Sequence, residues 1–410
     1  MDTSLAFILA GGKGDRLAPL TDNRAKPAVP FARYRIVDHN LSAIINAGVP
    51  KVLILPQFQP LSLDLHVDKA YPHTDMHLEQ IVRMVYPREI RRDEGGTEFT
   101  WYKGTAHAVK QNTELIGKYD PNHVLIFAGD HICAIDVADM LEQHHQQRRD
   151  LTIAVEVRLL SEDDFETSKS DGQLRYKYGV LDANEDGRIS QFREKPLRTE
   201  MGAVGEEVLV SMGNYIFHTG PLLDSLELVT EKDNDFGKNV IPEMLRNNRD
   251  LFVYRFNGYW RDVGDIVSYY NACMDLNQPN PPLDYKRLRA EKRPVTTEGG
   301  NITPSRIESQ GKISTVAEGC EIYGKIENCV LGQNVVVGHG SYLKDCVVFP
   351  NSVIEPGVSA QNTIIDKNNI IPKGITIGYH QESDRLKQYT VVPRTEGYIV
   401  VVPRDKPRKK

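Results

Sequence analysis

No stretch of this 410-residue chain is apolar for long enough to cross a bilayer. The first strand-like run begins at Leu5, with no basic segment, apolar signal core or small-residue cleavage site ahead of it. These absences predict a cytoplasmic protein. Cysteine is scarce: Cys133, Cys273, Cys320, Cys329 and Cys346 are odd in number, widely spaced and without zinc-like pairing. That excludes a disulfide framework and predicts reduced, mostly buried thiols. Charge of one sign is missing as well, since 50 Lys and Arg against 56 Asp and Glu leave a formal charge of −6. A general binder of nucleic acid or anionic membrane is thereby disfavoured, and any phosphate ligand must meet local cations. The closing charges Arg404, Lys406, Arg408, Lys409 and Lys410 read as a solvated end.

What the chain does have is size and two periodicities. With 40% hydrophobic residues it can bury a large core, and its length predicts two domains. From residue 5 to about 275, apolar strands alternate with amphipathic helices, the arrangement of a doubly wound α/β sheet. Leu5 to Ala10, Lys51 to Pro56, His123 to Ala128 and Leu151 to Val157 read as strands. Leu41, Ile44 and Ile45, closed by Gly48, mark a helix, and Val180 to Phe192 reads as a hairpin around Asn184 to Gly187. Residues 276–300 turn polar and proline-containing and are read as a linker. From 301 to 380 the period becomes six: Leu331, Val337 and Leu343, then Val347, Val353, Ser359, Ile365, Ile371 and Ile377. Such spacing indicates a β-helix of hexapeptide coils, with an antiparallel sandwich as the plainer alternative. Glycines 332, 338, 340, 357, 374 and 378 suit corners with positive φ, and 381–410 is left as a tail.

The strand Leu5 to Ala10 runs directly into Gly11, Gly12 and Gly14, followed by Arg16 and Lys26. Glycines remove the Cβ atoms that would hold a phosphate away from backbone N–H groups. The two cations can neutralise a polyphosphate and a leaving pyrophosphate. Neither common nucleotide motif fits, because Lys13 is followed by Gly14 where Walker A needs Ser or Thr, and Leu17 stands where the dinucleotide pattern needs glycine. Joining two anions also calls for a divalent cation, and Mg2+ prefers carboxylate oxygen. Asp130 and Asp262 sit just beyond apolar strands, where ligands of such sheets bind. A turn closed by an Asx bond at Gly129-Asp130 is the alternative. Pro196 restricts Lys195 to an extended conformation, which would aim its ammonium, unless it serves in a surface ion pair.

These residues, together with Trp101 to Ala106, Ala128 to His131, Phe192 to Pro196, Ser211 to Tyr215, Asp235 to Lys238 and Gly258 to Gly264, occur in the order found in one family. The chain resembles the bacterial glucose-1-phosphate adenylyltransferases, among the sugar-nucleotide pyrophosphorylases, over nearly its whole length. The resemblance implies a GT-A-like nucleotidyltransferase domain over 1–275 followed by a left-handed parallel β-helix. It implies ATP and glucose 1-phosphate as substrates, ADP-glucose and pyrophosphate as products, a role in glycogen or α-glucan synthesis, a homotetramer, and allosteric control. It makes Asp130 and Asp262 the Mg2+ ligands, and Arg16, Lys26 and Asp130 catalytic. Lys195 is then assigned to the sugar phosphate and Glu194 to a sugar hydroxyl, with Gly179, Ser211 and Asn214 in the same pocket. Gly11 and Gly12 face the triphosphate. Tyr102, Gly104 and Thr105 form the adenine pocket, although Trp101 or Tyr102 could equally be core residues. Asp235 to Lys238 is read as structural support.

The pattern is broken at three places. His107 replaces a usually acidic residue next to the nucleotide region, Asn23 replaces a basic one, and Ala32-Arg33-Tyr34 replaces a longer Gly-Gly-Lys-Phe segment. No activator is therefore named, and base choice between ATP and another triphosphate such as UTP or dTTP stays open. The rivals are a transferase for another sugar 1-phosphate and a non-catalytic regulatory subunit. An acyltransferase using His339 is the third.

Overall fold

The computed structural model describes residues 3–71, 81–87, 89–91, 97–99, 101–168, 170–283, 305–309 and 312–404. The expected linker lies outside them from residue 284 onward, as do Lys406 to Lys410 of the basic end. Strands β1 (Ser4–Ala10), β2 (Lys51–Pro56), β3 (Ile81–Met84), β4 (His123–Ala128), β5 (Leu151–Leu159), β6 (Gly179–Ala183), β7 (Ile189–Glu194), β8 (Glu207–His218) and β9 (Leu251–Phe256) form one nine-stranded sheet. Its order runs β7-β6-β8-β4-β1-β2-β3, with β5 beside β8 and β9 beside β5. The strands β3, β2, β1 and β4 are all parallel, as their nearly unbroken apolar sequences require when both faces are covered. Antiparallel β8 then makes the sheet mixed, and β6 and β7 form the hairpin read from the sequence. Helix α1 (Ile36–Asn46) packs on this sheet and stops before Gly48, whose φ of 80° no β-branched residue would accept.

The second domain is a stack of coils whose strands pair in parallel seventeen residues apart, Val330 with Val347, Val347 with Ile364, and Val336 with Val353. The buried column is Leu331, Val337, Leu343, Val348, Ile354, Ala360, Ile365, Ile371 and Ile377, which steps by six, six and five. The even spacing expected through 347, 353 and 359 is therefore one residue out of phase: Val353 and Ser359 are only half-buried, and Val347 packs toward the first domain. Each coil turns three corners on left-handed residues. These are Asn328, Asp345 and Asn362 at one corner, Asn334, Asn351 and Asn368 at the second, and Gly340, Gly357 and Gly374 at the third. The second set is tied into a ladder, Asn334 donating to Asn351 at 3.1 Å and Asn351 to Asn368 at 3.3 Å. Gly332 and Gly338, expected at such corners, lack positive φ; a Cβ on either would lie 2.7 to 2.8 Å from Pro350 or Pro356 of the next coil. Of the chain's end, Tyr398–Val402 joins the coils as a further parallel strand beside Thr363 to Ile365.

The two domains share one core. Helix α2 (Ile266–Asp275), capped by Asp265 accepting from the Ser268 N–H, lies against the coils. Its Tyr270 hydroxyl donates to the Asp345 carbonyl at 2.8 Å, and Tyr269 meets Phe349 edge to face. All five cysteines are unpaired thiols, four of them buried.

Candidate active site

The C-terminal ends of β1 and β4 lie side by side, Leu9 opposite Ala128, so the glycine loop after β1 and the turn after β4 face each other. A cleft of about 710 Å³ opens there. Gly129 permits the approach: its N–H donates to the Leu9 carbonyl at 2.9 Å, and a Cβ would stand 2.9 Å from that same oxygen. Beyond β4, His131–Cys133 pairs antiparallel with Trp260–Asp262, and the register sets Asp262 opposite His131. That ribbon carries Asp262 to the side of Asp130. The two carboxylates meet at the Lys26 ammonium, 2.9 Å from Asp130 Oδ2 and 3.3 Å from Asp262 Oδ1. Asp130 therefore does more than close a turn.

Electrostatics follow from this triad. Burial alone would raise the Asp130 carboxyl, but the Lys26 ammonium, aided by His131, holds it well below the usual carboxylate range. Burial would lower the Lys26 ammonium, and Asp130 and Asp262 more than offset that. His131 is oriented by Nδ1 donating to the Met212 carbonyl at 3.1 Å, which leaves Nε2 3.6 and 3.7 Å from the two carboxylates. Two hard oxygen donors converging at one cleft wall fit Mg2+. Among the described residues no three His, Cys, Asp or Glu side chains are arranged to hold an ion by themselves.

At the other end of the cleft, the Glu194 carboxyl is slotted between Gly179 and Gly237. A Cβ on either glycine would come within 2.9 Å and 2.5 Å of Glu194 Oε2. Burial and the adjacent Asp235 charge push this carboxyl up to about 7, against the opposing pull of Lys195 and Lys238. Lys195 lines the cleft too, but not in the extended conformation expected. Its φ is 49°, left-handed, with its N–H donating to the Tyr178 carbonyl and its own carbonyl accepting from Arg175. Two backbone anchors impose a conformation that the following proline disfavours, a form of strain common at ligand sites.

Gly11, Gly12, Lys26, Tyr102, Gly104, Thr105, Asp130, Gly179, Glu194, Lys195, Ser211 and Asp262 all line this one cleft. Tyr102 is core and cleft wall at once, its hydroxyl donating to the Val85 carbonyl. Thr105 spends its hydroxyl on structure, donating to Asp235 and accepting from the Phe236 N–H. Arg16 and Asn214 do not line the cleft. Arg16 is half-exposed and paired with Glu166 at 2.8 Å. Asn214 is fully buried behind β4, where its Oδ1 accepts from the Ala128 N–H. Asn40 donates to the carbonyl of the same Ala128, so the two amides pin the strand end that presents Asp130. Asn40 does not stand out from its helix in the sequence, and His131 stands there only within the Ala128-to-His131 segment, without a role of its own. Asp235, read there as support, is both a helix cap and a wall of the cleft.

Residues 5–279 match the nucleotidyl transferase family, and residues 303–402 match the GlmU-like C-terminal hexapeptide family. Glucose-1-phosphate adenylyltransferases from Mycoplasma mobile and Clostridium perfringens are 37% and 40% identical to the chain over 347 and 351 residues. Each alignment covers 83% of this chain, with 84% and 83% of those proteins. The Bacillus licheniformis enzyme is 37% identical over 354 residues, 82% of this chain and 84% of its own length. The chain belongs to the glucose-1-phosphate adenylyltransferase family. Its coils are accordingly those of a left-handed parallel β-helix. The His107 ring accepts from the Lys103 N–H at 3.1 Å and is not among the residues that line the cleft.

Proposed function

We infer that the protein transfers the adenylyl group of ATP to glucose 1-phosphate, giving ADP-glucose and pyrophosphate for α-glucan synthesis. The observation that carries this is the meeting of Asp130 and Asp262 at one point, with Gly11 and Gly12 on one side and Glu194 and Lys195 on the other. A sugar-phosphate oxygen forms the new bond to the α-phosphorus as the bond to the bridging oxygen of pyrophosphate breaks. No covalent enzyme intermediate and no protein base is needed. Mg2+, held by Asp130 and Asp262, would neutralise charge on the reacting phosphates. Lys195 binds the sugar phosphate, Glu194 accepts from a sugar hydroxyl, and Tyr102 with Gly104 walls the base. Arg16 reaches the triphosphate only by leaving Glu166, an exchange that an exposed ion pair allows at little cost.

Cytoplasmic location and assembly as a homotetramer through the hexapeptide domain belong to the same reading. Assembly is supported by the exposed Ile370, which stands in register with half-buried Val353 and Val336 on one outer face. A small anionic effector is supported by the cations gathered between the domains: burial and the charges of Arg24, Arg35 and Arg404 push the Lys367 ammonium down to about 8. The deciding experiment is pyrophosphate release from the purified chain with each of the four nucleoside triphosphates, several sugar 1-phosphates and Mg2+, with and without anionic metabolites. Turnover is expected with ATP and glucose 1-phosphate; preference for another pair would replace these substrates, and no release with any pair would end the enzymatic reading.

A further inference from the structure

The ammonium of Lys26 stands where the two carboxylates converge, and that is the place the divalent cation would need. Its side chain is only 8% exposed, with Nζ 2.9 and 3.3 Å from the two acids. The backbone behind it is anchored. Lys26–Ala28 forms a tight turn in which the Val29 N–H donates to the Lys26 carbonyl, and Pro27 fixes the next φ. The four-carbon stem has rotatable bonds, and Gly12, with nothing within 4 Å of a Cβ built on it, lines the same cleft.

A lysine ammonium and a divalent cation repel each other when both sit at contact distance on one pair of carboxylates, so occupancy by one opposes the other. A triphosphate lying on the glycine loop supplies the negative charge that would draw the ammonium away. The geometry points to Lys26 as a displaceable internal counter-ion. It closes the cation site to free divalent metal and yields it only to metal arriving with the polyphosphate of the nucleotide. This rests on the reading of Asp130 and Asp262 as cation ligands. It gives Lys26 two successive positions, on the carboxylates before loading and on the phosphates after it. It also makes metal and nucleotide bind together rather than in sequence.

The test is a titration of the nucleotide-free protein with Mn2+, followed by electron paramagnetic resonance of the unbound ion. Lys26→Met keeps the aliphatic stem and removes the charge, so it should bind Mn2+ at least about tenfold more tightly than the unaltered chain. Lys26→Gln should do the same if the methionine variant folds poorly, whereas Lys26→Arg, which keeps the charge, should not tighten binding. A merely structural lysine would not separate these variants by charge. Equal affinity of the unaltered chain and both neutral variants would overturn the counter-ion role and leave the carboxylate site standing. Tightening that persists in Lys26→Met/Asp130→Asn would show that the ion sits elsewhere, and so overturn the cation reading itself.

Discussion

Arg24 Nη2 donates to both oxygens of Asp366, at 2.7 and 3.0 Å, with both side chains almost wholly buried. The bond joins the glycine-loop region to the β-helix, and the Arg24 guanidinium also lies 5.9 Å from the centre of the Phe349 ring. Arg24 is thus a clasp between domains before it is anything else.

Breaking a buried pair by removing one partner costs about 3–5 kcal/mol, because a charge is left without compensation. Asp366→Ala should approach that cost in a urea titration, since Arg24 is stranded. Arg24→Met should cost less, because Asp366 keeps the N–H bond from Lys367 at 2.6 Å. Equal and small losses in both would show that the clasp does not hold the domains together.

Asp130→Asn and Asp262→Asn should each lower kcat on the order of 10²–10³-fold with circular dichroism unchanged, the scale seen when one preorganised charge contact is removed. Steady-state pyrophosphate release measures it. Near-normal turnover in either variant contradicts the role given to that residue.

The Glu194 carboxyl should leave a mark on the pH profile. Its folded value of about 7 lies above its ordinary 4.5, so the native state holds a proton that the unfolded chain has lost between those values. Stability from this group is therefore full below about pH 4.5 and declines as pH rises toward 7. The ionised carboxylate accepts from a sugar hydroxyl more strongly than the neutral acid does, so the KM for glucose 1-phosphate should fall as pH rises from 6 to 8. Glu194→Gln should flatten that added dependence; an unchanged profile would remove Glu194 from sugar recognition.

Ala32 occupies the turn between Pro30–Phe31 and Tyr34–Arg35 with a φ of 50°. A residue with a Cβ pays about 1–2 kcal/mol for that conformation. Ala32→Gly, which removes the Cβ from a left-handed position, should raise the thermal midpoint without altering KM. A fall in the midpoint would mean that the methyl group's packing outweighs the backbone strain.

Much of this molecule could be read before it was seen folded, because local rules govern those parts. The strand at Leu5 to Ala10, the turn at Asn184 to Gly187 and the stop at Gly48 depend on side chains within a few residues. So does the six-residue aliphatic step of the coils. The sequence shows a shift after Leu343, but not that a step of five closes each coil, since that step is set by stacking on a neighbour seventeen residues away. Glu194 and Lys195 were recognised as a pair, yet the carboxyl's shift comes from Asp235 and the lysine's φ from bonds to Tyr178 and Arg175.

By itself the sequence determined which residue types stand at strand ends, and hence that carboxylates, cations and glycines would gather along one edge of a sheet. Only the tertiary structure decided how they meet. The register of Trp260–Asp262 on His131–Cys133 brings Asp262 to Asp130, Lys26 fills the space between them, and Asn40 and Asn214 hold the Ala128 backbone at its carbonyl and N–H. The reason is physical: backbone propensity is a property of neighbours in the chain, whereas a charge finds its balance among whatever the fold places within a few ångströms.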